Sequence, residues 1–460
     1  MTIAVPDGAA DDGPTARLAG FVVAWQPDAT TLPLYEAAKC ALADILGTAV
    51  AGSTQQTSML VSQLARREAA PGRSVVIGHR CRISPTYAAL VNGTSGHVLD
   101  YDDIGAAPGV GHPTVAVVPA ALAVAEDVDA SGRQLVEAII VGYEVAARFG
   151  RASGGSSGDS YRRGFHGTAV NGVFGATAAA ARLLGLDVEQ TRCAFGIATS
   201  EAGGVRANVG TMTKPLHAGE VNRAGVMAAM LAQTGFTASR SAIEGRHGWG
   251  DAFSGGSYDQ SLIVDGLGLE FALEHGVNVK SFPSCAAAHG AIRAVLSILS
   301  EHRLGADDVV EIEVEIAQEK LDDSLLFPWP ATTLEGRFSL AFNVAAAWAD
   351  GDVTVATFSD AKLGELASYR SRVVIRGRQD AHPVLVRVRT VDGRELTSTG
   401  LPDAKATTDV LSVTGDDALC RKFRDNVSAV RSTGVADALL DSIRGIENSG
   451  SVGELTELLL

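Results

Sequence analysis

The chain has 460 residues, of which 46% are hydrophobic and 5% aromatic, and its formal net charge is −15. A chain of this length exceeds what one core usually holds, so we expect two domains. Lysine and arginine form no block, whereas a surface that follows phosphates needs clustered cations. The sequence therefore argues against a nucleic-acid partner, and an acidic substrate would have to be captured by a few local cations.

The cysteines and the apolar stretches exclude two further classes of protein. Five cysteines lie far apart and form no CxxC pair, so we expect no disulfide framework and no zinc site. The N-terminus lacks the basic and apolar regions of a signal peptide. The longest uncharged helical stretch, residues 167–181, is shorter than the ~18 residues that a membrane span needs. We therefore expect a cytoplasmic protein with no membrane partner.

The first part of the chain predicts helices. Residues 1–20 are expected to be disordered, because the beginning of the chain lacks an apolar repeat. From about residue 30 to 275, apolar residues recur at helical spacing and glycines punctuate them. Ser131 is a predicted N-cap. An all-helical domain follows from this pattern, and its clearest helical segments are residues 35–52, 113–128, 131–150 and 168–187.

The pattern changes near residue 276. Ser284 is expected to cap a helix that runs through AAAHGAIRAVLSILSEH. Residues 308–317 then alternate strictly, with Val310 and the apolar residues at every second position after it on one face and glutamates on the other. Such alternation is typical of a strand with one solvated face.

The rest of the chain adds one helix, two strands and a helical tail. Residues 337–351 return to helical spacing, while residues 371–378 and 382–399 predict strands. Within the last segment, Asp392-Gly393 is a strong hairpin signal. Beyond residue 417 the apolar spacing is helical again, and we expect this tail to pack back on the first domain.

The predicted fold is mainly α with an α+β second domain. Residues 21–275 and 401–460 would form a large helical bundle domain. Residues 276–400 would form a smaller α+β domain.

Candidate chemistry begins with GHVLDYDDIGAAPGVGHPTVAVV, residues 96–118, which holds three aspartates and two histidines but no lysine or arginine. A solvated loop is one interpretation, because aspartate and glycine are common in turns. A divalent metal site is another, although no second aspartate-rich motif accompanies it. The third interpretation is proton transfer, in which Asp100 would orient His112 as a general base.

Further candidates lie on segments that open helices. His166 precedes a small-residue helix, where the positive end of the helix dipole favours neutral imidazole. Lys214 lies on a glycine-punctuated loop, and Lys280 lies at the domain junction, five and nine residues before Cys285 and His289. Each has a plain structural alternative: a core histidine, a surface lysine or a small buried cysteine.

The chain contains no P-loop, no GxGxxG after a strand and no HExxH motif. Several histidines and lysines and a carboxylate remain, with no sign of an organic cofactor or a metal. This combination favours acid/base chemistry on an anionic small molecule whose carboxylates are neutralised by cations.

Across residues 30–430, the sequence resembles the MmgE/PrpD family, which includes 2-methylcitrate dehydratases, cis-aconitate decarboxylase and iminodisuccinate epimerase. The blocks that carry the resemblance, in order, are NGTSGHVLDYDD with GHPT, GYEVAARFG, RGFHGTAVNGVFGATAAAARLLGLD, GTMTKPLHAGEVNRAG, KSFPSC and GRFSLAFNVAAA. The resemblance implies a large helical domain with a smaller lid, a homodimer, a small-molecule carboxylate substrate, and no metal or organic cofactor.

The resemblance also implies a site between the two domains. Its catalytic residues would be Asp100, His112, His166, Lys214 and Lys280. The lysines and histidines would hold substrate carboxylates, and His112 would transfer the proton at carbon.

Three further positions would contact substrate: Ile104, Cys285 and His289. Two of them depart from the decarboxylase pattern, since Ile104 replaces a threonine and Cys285 replaces a histidine. The loop from Asp100 to His112 is also longer than in that branch and closer to that of the dehydratases. We therefore expect a somewhat less polar pocket and do not favour itaconate formation.

The main functional hypothesis is a hydro-lyase that acts on a citrate-like di- or tricarboxylate, similar to 2-methylcitrate dehydratase. The alternatives are an epimerase of an amino- or imino-dicarboxylate, a decarboxylase of a cis-aconitate-like acid, and a binding homologue without activity. The three enzymes would share proton transfer at a carbon beside a carboxylate.

Overall fold

The computed structural model describes residues 12–105, 111–155, 158–379, 383–400, 413 and 417–460. Helices dominate, and a smaller sheet-containing domain follows a large helical one, so the predicted fold class is confirmed. The helices of the large domain are α1 (Pro14–Ala24), α2 (Leu32–Gly52), α3 (Gln56–Glu68), α4 (Pro85–His97), α5 (Pro113–Asp127), α6 (Gly132–Ala152), α7 (Asp159–Arg162), α8 (Gly167–Leu183), α9 (Val188–Glu201), α10 (Thr213–Gln233), α11 (Trp249–Ser254) and α12 (Ser261–Val264).

Small residues let the central helices approach closely. A Cβ atom on Gly142 of α6 would lie 2.7 Å from the Gly175 carbonyl oxygen of α8, and one on Gly175 would lie 2.6 Å from that of Gly142. Phe149 and Phe174 stack between the same helices with ring centroids 3.8 Å apart. Ser131 caps α6 by accepting a hydrogen bond from the Gln134 amide, as predicted.

Helix α5 contains Pro119, which cannot donate a hydrogen bond to the carbonyl of Val115 four residues earlier. Asn222 of α10 supplies the missing hydrogen bond, since its Nδ2 donates to the Val115 carbonyl at 2.7 Å. Its Oδ1 accepts from the Ala120 amide at 2.8 Å. Two central helices are thereby joined beside the helix start that carries His112.

The large domain departs from the sequence prediction in two ways. It is not all-helical, because it contains the antiparallel hairpin β1 (Pro71–Val76) and β2 (Cys81–Ile83), and strand β3 (Ile104–Gly105) pairs with β4 (Val277–Asn278). Disorder does not extend through residue 20, since α1 buries Leu18 completely. Residues 1–11 lie outside the described residues.

The second domain is built on one sheet. Its strands are β5 (Val309–Ala317), β6 (Val373–Arg378), β7 (Val384–Thr390) and β8 (Glu395–Gly400). They lie in the order β6-β5-β7-β8, with β5 and β6 parallel and the other neighbours antiparallel. Its helices are α13 (Ala286–Glu301), α14 (Gln318–Asp323), α15 (Thr333–Gly336), α16 (Leu340–Asp350) and α17 (Asp360–Leu366).

Most of the predicted details of this domain hold. Strand β5 buries Ile312 and its alternate neighbours on one face, but Val310 is only half-buried and Val309 takes its place in the core, because the register shifts there. The predicted hairpin forms, with Gly393 at a φ of +85°. Ser284 does not cap α13. The helix instead starts one residue later, after Cys285.

The tail consists of α18 (Ala418–Ser428), α19 (Thr433–Arg444) and α20 (Gly453–Thr456). Its apolar residues belong to the hydrophobic core of the large domain, and Phe423 packs on Gly47 of α2. A second core lies between the sheet and the helices α13 and α16. None of the described helices is both long enough and apolar enough to cross a membrane.

Candidate active site

A cavity of about 440 Å³ lies between the large domain and the sheet domain. Both domains contribute to its walls, and its ionisable lining residues include Asp100, His112, His166, Lys214 and Lys280. A larger depression of about 700 Å³ lies between residues 196–201 and 231–248, but among the described residues only Glu201, Arg246 and His247 are ionisable groups in its lining. The smaller cavity is therefore the candidate active site.

Helix ends bring these side chains together. Helix α4 ends at His97, and the chain then turns through Asp100, whose φ of +48° lies in the left-handed region. His112 is the N-cap of α5 and His166 the N-cap of α8, while Lys214 lies in the first turn of α10. The Thr168 hydroxyl of α8 accepts from the His112 amide at 3.3 Å.

Asp100 binds two lysines. Lys214 Nζ lies 2.5 Å from Asp100 Oδ1, and Lys280 Nζ lies 2.8 Å from Asp100 Oδ2. Burial alone would raise the pKa of Asp100, but the two ammonium groups outweigh it and hold that pKa well below its usual value. Burial opposes the charge of Lys280 as well, yet Asp100 raises the Lys280 pKa. This trio carries one net positive charge, which favours a substrate carboxylate.

Asp102, not Asp100, is the carboxylate that holds the histidines. His97 Nδ1 lies 2.9 Å from both Asp102 oxygens, and His112 Nδ1 lies 3.0 Å from Asp102 Oδ2. Burial would raise the pKa of Asp102, but the neighbouring His97 and His112 hold it well below its usual value. The prediction that Asp100 orients His112 is therefore wrong, because the turn at residue 100 points that carboxylate at the lysines.

His166 faces a second imidazole. Its Nδ1 lies 3.2 Å from Nδ1 of His217, so one ring donates and the other accepts. Burial and the charge of Lys214 lower the pKa of both rings, that of His166 well below its usual value. Burial also lowers the pKa of His97 to about 4. These three rings are therefore neutral near pH 7, as the sequence predicted for His166.

The three predicted substrate contacts fall into two groups. Ile104 and Cys285 line the cavity. Ile104 also pairs with Asn278 across β3 and β4, which brings the aspartate turn to the segment that carries Lys280. Contrary to the prediction, His289 is absent from the cavity wall: its Nε2 faces the Ser284 carbonyl at 3.1 Å, and its ring packs on Phe282. Helix α13 turns it away from the cavity, into the lid core.

Arg206 and Lys320, which also line the cavity, differ in their pairing. Arg206 lies over the Tyr161 ring at 3.6 Å and contacts Asp323 Oδ1 of the lid at 3.2 Å, so it joins the two domains. Lys320 of the lid lies 3.8 Å from Glu319, a mostly exposed side chain. Lys320 is therefore the lining lysine most available to a second substrate carboxylate.

The cluster fits a metal ion poorly. His97, Asp100 and His112 offer ligand atoms within 4.8 Å of one another. However, each oxygen of Asp100 already faces an ammonium group, and those charges would repel a divalent cation. Asp102 also occupies Nδ1 of His97. The described residues are arranged for acid/base chemistry and anion binding.

Sequence reasoning missed His97 and Asp102 and left His217 uncommitted. A signal existed for the first pair, since they lie five residues apart in the same aspartate-rich segment. Nothing local identified Asn171, which lines the cavity with a buried Oδ1 that has no hydrogen-bond partner among the described residues.

The two domains define a mainly helical protein with a smaller sheet domain, and the cavity between them brings histidines, lysines and a buried carboxylate together. The chain belongs to the MmgE/PrpD family: residues 16–261 match the MmgE/PrpD N-terminal domain and residues 282–444 match the MmgE/PrpD C-terminal domain.

Three similar proteins are named cis-aconitate decarboxylase, an enzyme of the lyase class. The protein from Homo sapiens is 28% identical over 435 residues, which cover 90% of this chain and 88% of the relative. The protein from Mus musculus is 27% identical, with 97% and 93% covered. The protein from Aspergillus terreus is 26% identical, with 78% and 76% covered.

Proposed function

We propose that this protein is a lyase that decarboxylates an unsaturated tricarboxylate of the cis-aconitate type. The names of the similar proteins favour this alternative over the dehydratase that the sequence had suggested as the main hypothesis. The main structural support for this proposal is His112, which lies on the cavity wall with its Nδ1 3.0 Å from buried Asp102. It lines the same cavity as the paired Lys214 and Lys280.

The chemistry needs one proton and a place for negative charge. When the C–CO₂ bond of the saturated arm breaks, its electron pair forms a new terminal alkene. The former alkene pair moves to the carbon beside the remaining distal carboxylate. That carbon takes a proton, and the products are CO₂ and a methylene-substituted dicarboxylate. The step therefore needs a general acid at carbon and cations at the carboxylate that accepts the developing charge.

Two groups of residues can supply these functions. Asp102 lies 3.0 Å from Nδ1 of His112, which leaves Nε2 as the ring nitrogen that can deliver a proton to carbon. Lys214 and Lys280 lie where they can stabilise a carboxylate whose charge increases during the reaction. The neutral His166 lines the cavity and can provide a hydrogen bond without further charge, and His217 contacts its Nδ1 at 3.2 Å.

Ile104 and Cys285 lower the polarity of the wall relative to the decarboxylase pattern. Burial raises the pKa of the Cys285 thiol, so it stays uncharged and adds no negative charge to the pocket. These two positions favour a substrate related to cis-aconitate with an alkyl branch or a less polar arm. The homodimer expected from the resemblance and the cytoplasmic location expected from the cysteines and the apolar stretches remain predictions.

Proton NMR in D₂O with a panel of acids tests the proposal: cis-aconitate and its alkyl derivatives, 2-methylcitrate, citrate and imino-dicarboxylates. We expect CO₂ release, new methylene signals and one solvent deuteron in the product from a cis-aconitate-type acid. Alkene signals from a hydroxy acid without CO₂ would instead establish a dehydratase. Deuterium entering an α position of an unchanged skeleton would establish an epimerase. If none of these acids reacted, the result would contradict all three activities on them.

A further inference from the structure

The turn of residues 99–101 is held by three buried cations. Its three consecutive carbonyls accept hydrogen bonds from Arg337 at 2.7 Å, from Lys280 at 2.7 Å and from Lys422 at 2.6 Å, in chain order. The three donors are 2%, 2% and 6% exposed, so water does not compete for these bonds. A cation on every carbonyl of one short turn fixes the direction of each peptide plane.

The turn needs such support because Asp100 has a φ of +48°, which a residue with a side chain seldom adopts. This conformation separates two adjacent functions. It points Asp100 at the lysines, while Asp102 stays against His97 and His112. A change of the turn would therefore disturb both the anion site and the acid/base histidine at once.

Only Lys280 of the three cations lines the cavity. Arg337 belongs to the lid domain, and its guanidinium also donates to the Pro283 carbonyl at 2.7 Å. Lys422 belongs to the tail helix α18, binds Asp44 of α2 at 2.6 Å and lies 4.0 Å over the Tyr101 ring. Two segments distant in sequence thus reach the turn from outside the site.

We propose that Lys422 and Arg337 are positioning residues that hold the turn of residues 99–101 in its reactive conformation. The lid and the tail must both be docked for the turn to be complete, so assembly of the fold sets the geometry of the site. The positioning role rests on the proposed proton-transfer function, whereas the support of the turn itself does not.

The test uses the full chain with paired variants. Lys422→Met alone would leave Asp44 buried without its cation, so the double variant Asp44→Asn/Lys422→Met removes that charge as well. Lys422→Arg keeps a cation in place. Lys39→Met is the matched control, because Lys39 also joins α2 to the tail, contacting Glu447 at 3.2 Å, and is equally buried away from the turn.

Two readouts separate positioning from general stability. Hydrogen exchange of the peptide covering residues 97–105 reports on the turn, where the Asp100 amide donates to the His97 carbonyl at 3.0 Å. Steady-state kinetics report on function. We expect the double variant to speed this exchange and to lower kcat roughly tenfold or more with a smaller change in KM. Lys422→Arg should restore part of both, and Lys39→Met should change neither.

Arg337→Lys provides an independent test, since a lysine keeps the charge but its side chain is one bond shorter, so its ammonium group does not reach the position of the Nη1 that donates to both carbonyls. It should also speed exchange of residues 97–105. Unchanged exchange in both the Lys422 double variant and Arg337→Lys would overturn the support of the turn. Faster exchange with an unchanged kcat would overturn the positioning role. If the wild-type protein turned over no acid, the proposed function would fail, and exchange would still decide whether these cations hold the turn.

Discussion

Asp102 and Asp103 are adjacent and fully buried, yet their surroundings drive their pKa values in opposite directions. Burial would raise both, but His97 and His112 hold the pKa of Asp102 well below its usual value. Asp103 has no histidine partner among the described residues, and burial and the nearby Asp44 raise its pKa well above the usual value. The surroundings of Asp102 therefore stabilise its charged form, whereas those of Asp103 disfavour it.

This contrast predicts different effects of the same substitution at neighbouring positions. Asp102→Asn keeps the shape of the side chain but removes the negative charge that lies 3.0 Å from His112 Nδ1, so kcat should fall by about two to four orders of magnitude. Asp103→Asn changes a carboxyl whose charged form its buried surroundings disfavour, so kcat should stay within about threefold. Kinetics with the true substrate check both, and similar losses in the two variants would contradict the assignment.

Stability should decrease as the pH falls from about 6.5 toward 4. Burial lowers the pKa of His97 to about 4, and the pKa values of His166 and His217 are lowered too. Over this pH range the unfolded chain therefore binds more protons than the folded protein does. The lowered pKa of His97 alone reduces the free energy of unfolding by up to roughly 3 kcal/mol at pH 4.

Asp44 and Asp103 oppose this trend, because their raised pKa values let the folded protein take up protons earlier than the unfolded chain. Urea unfolding at several pH values gives the net slope. His97→Gln removes one group that is protonated more readily in the unfolded chain. The stability of this variant should therefore decline less steeply below pH 6.5. An equally steep decline in His97→Gln would show that His97 does not carry the effect.

Lys320 should contribute to substrate binding more than to chemistry. It lines the cavity from the lid. Among the described residues its carboxylate neighbour is Glu319, a mostly exposed side chain 3.8 Å away. Lys320→Met should raise KM about five- to tenfold with kcat nearly unchanged. Lys362→Met is the control, because that lid lysine binds Asp350 and Glu365 on the surface. A loss confined to kcat would assign Lys320 to the reaction itself.

Cys285 should not act as a nucleophile. Burial and the negative charge of Asp100 raise the pKa of its thiol, and a neutral thiol reacts slowly. Cys285→Ala should keep kcat within about threefold, and iodoacetamide at pH 7 should leave Cys285 largely unmodified by peptide mass spectrometry. Rapid alkylation of Cys285, together with loss of activity in the alanine variant, would contradict this expectation.

Much of the architecture could be predicted from local patterns. The helical spacing, the cap at Ser131, the alternation of β5 and the Asp392-Gly393 turn each depend on neighbouring residues, so each is visible in the sequence. Two of the wrong predictions concern choices between close alternatives, Val309 or Val310 in the core and Ser284 or Cys285 before α13. Those choices depend on a register shift and on one helix start.

The sequence by itself determined the fold class and seven of the residues that line the cavity, because each of the seven lies in a short segment with its own pattern. The sequence did not determine which charged side chains contact one another. Lys214 and Lys280 lie 114 and 180 positions from Asp100, and Lys422 lies 321 positions from Tyr101. Only the tertiary structure decided that Asp100 binds lysines and Asp102 binds histidines, because the left-handed turn at Asp100 sends the two carboxylates in different directions.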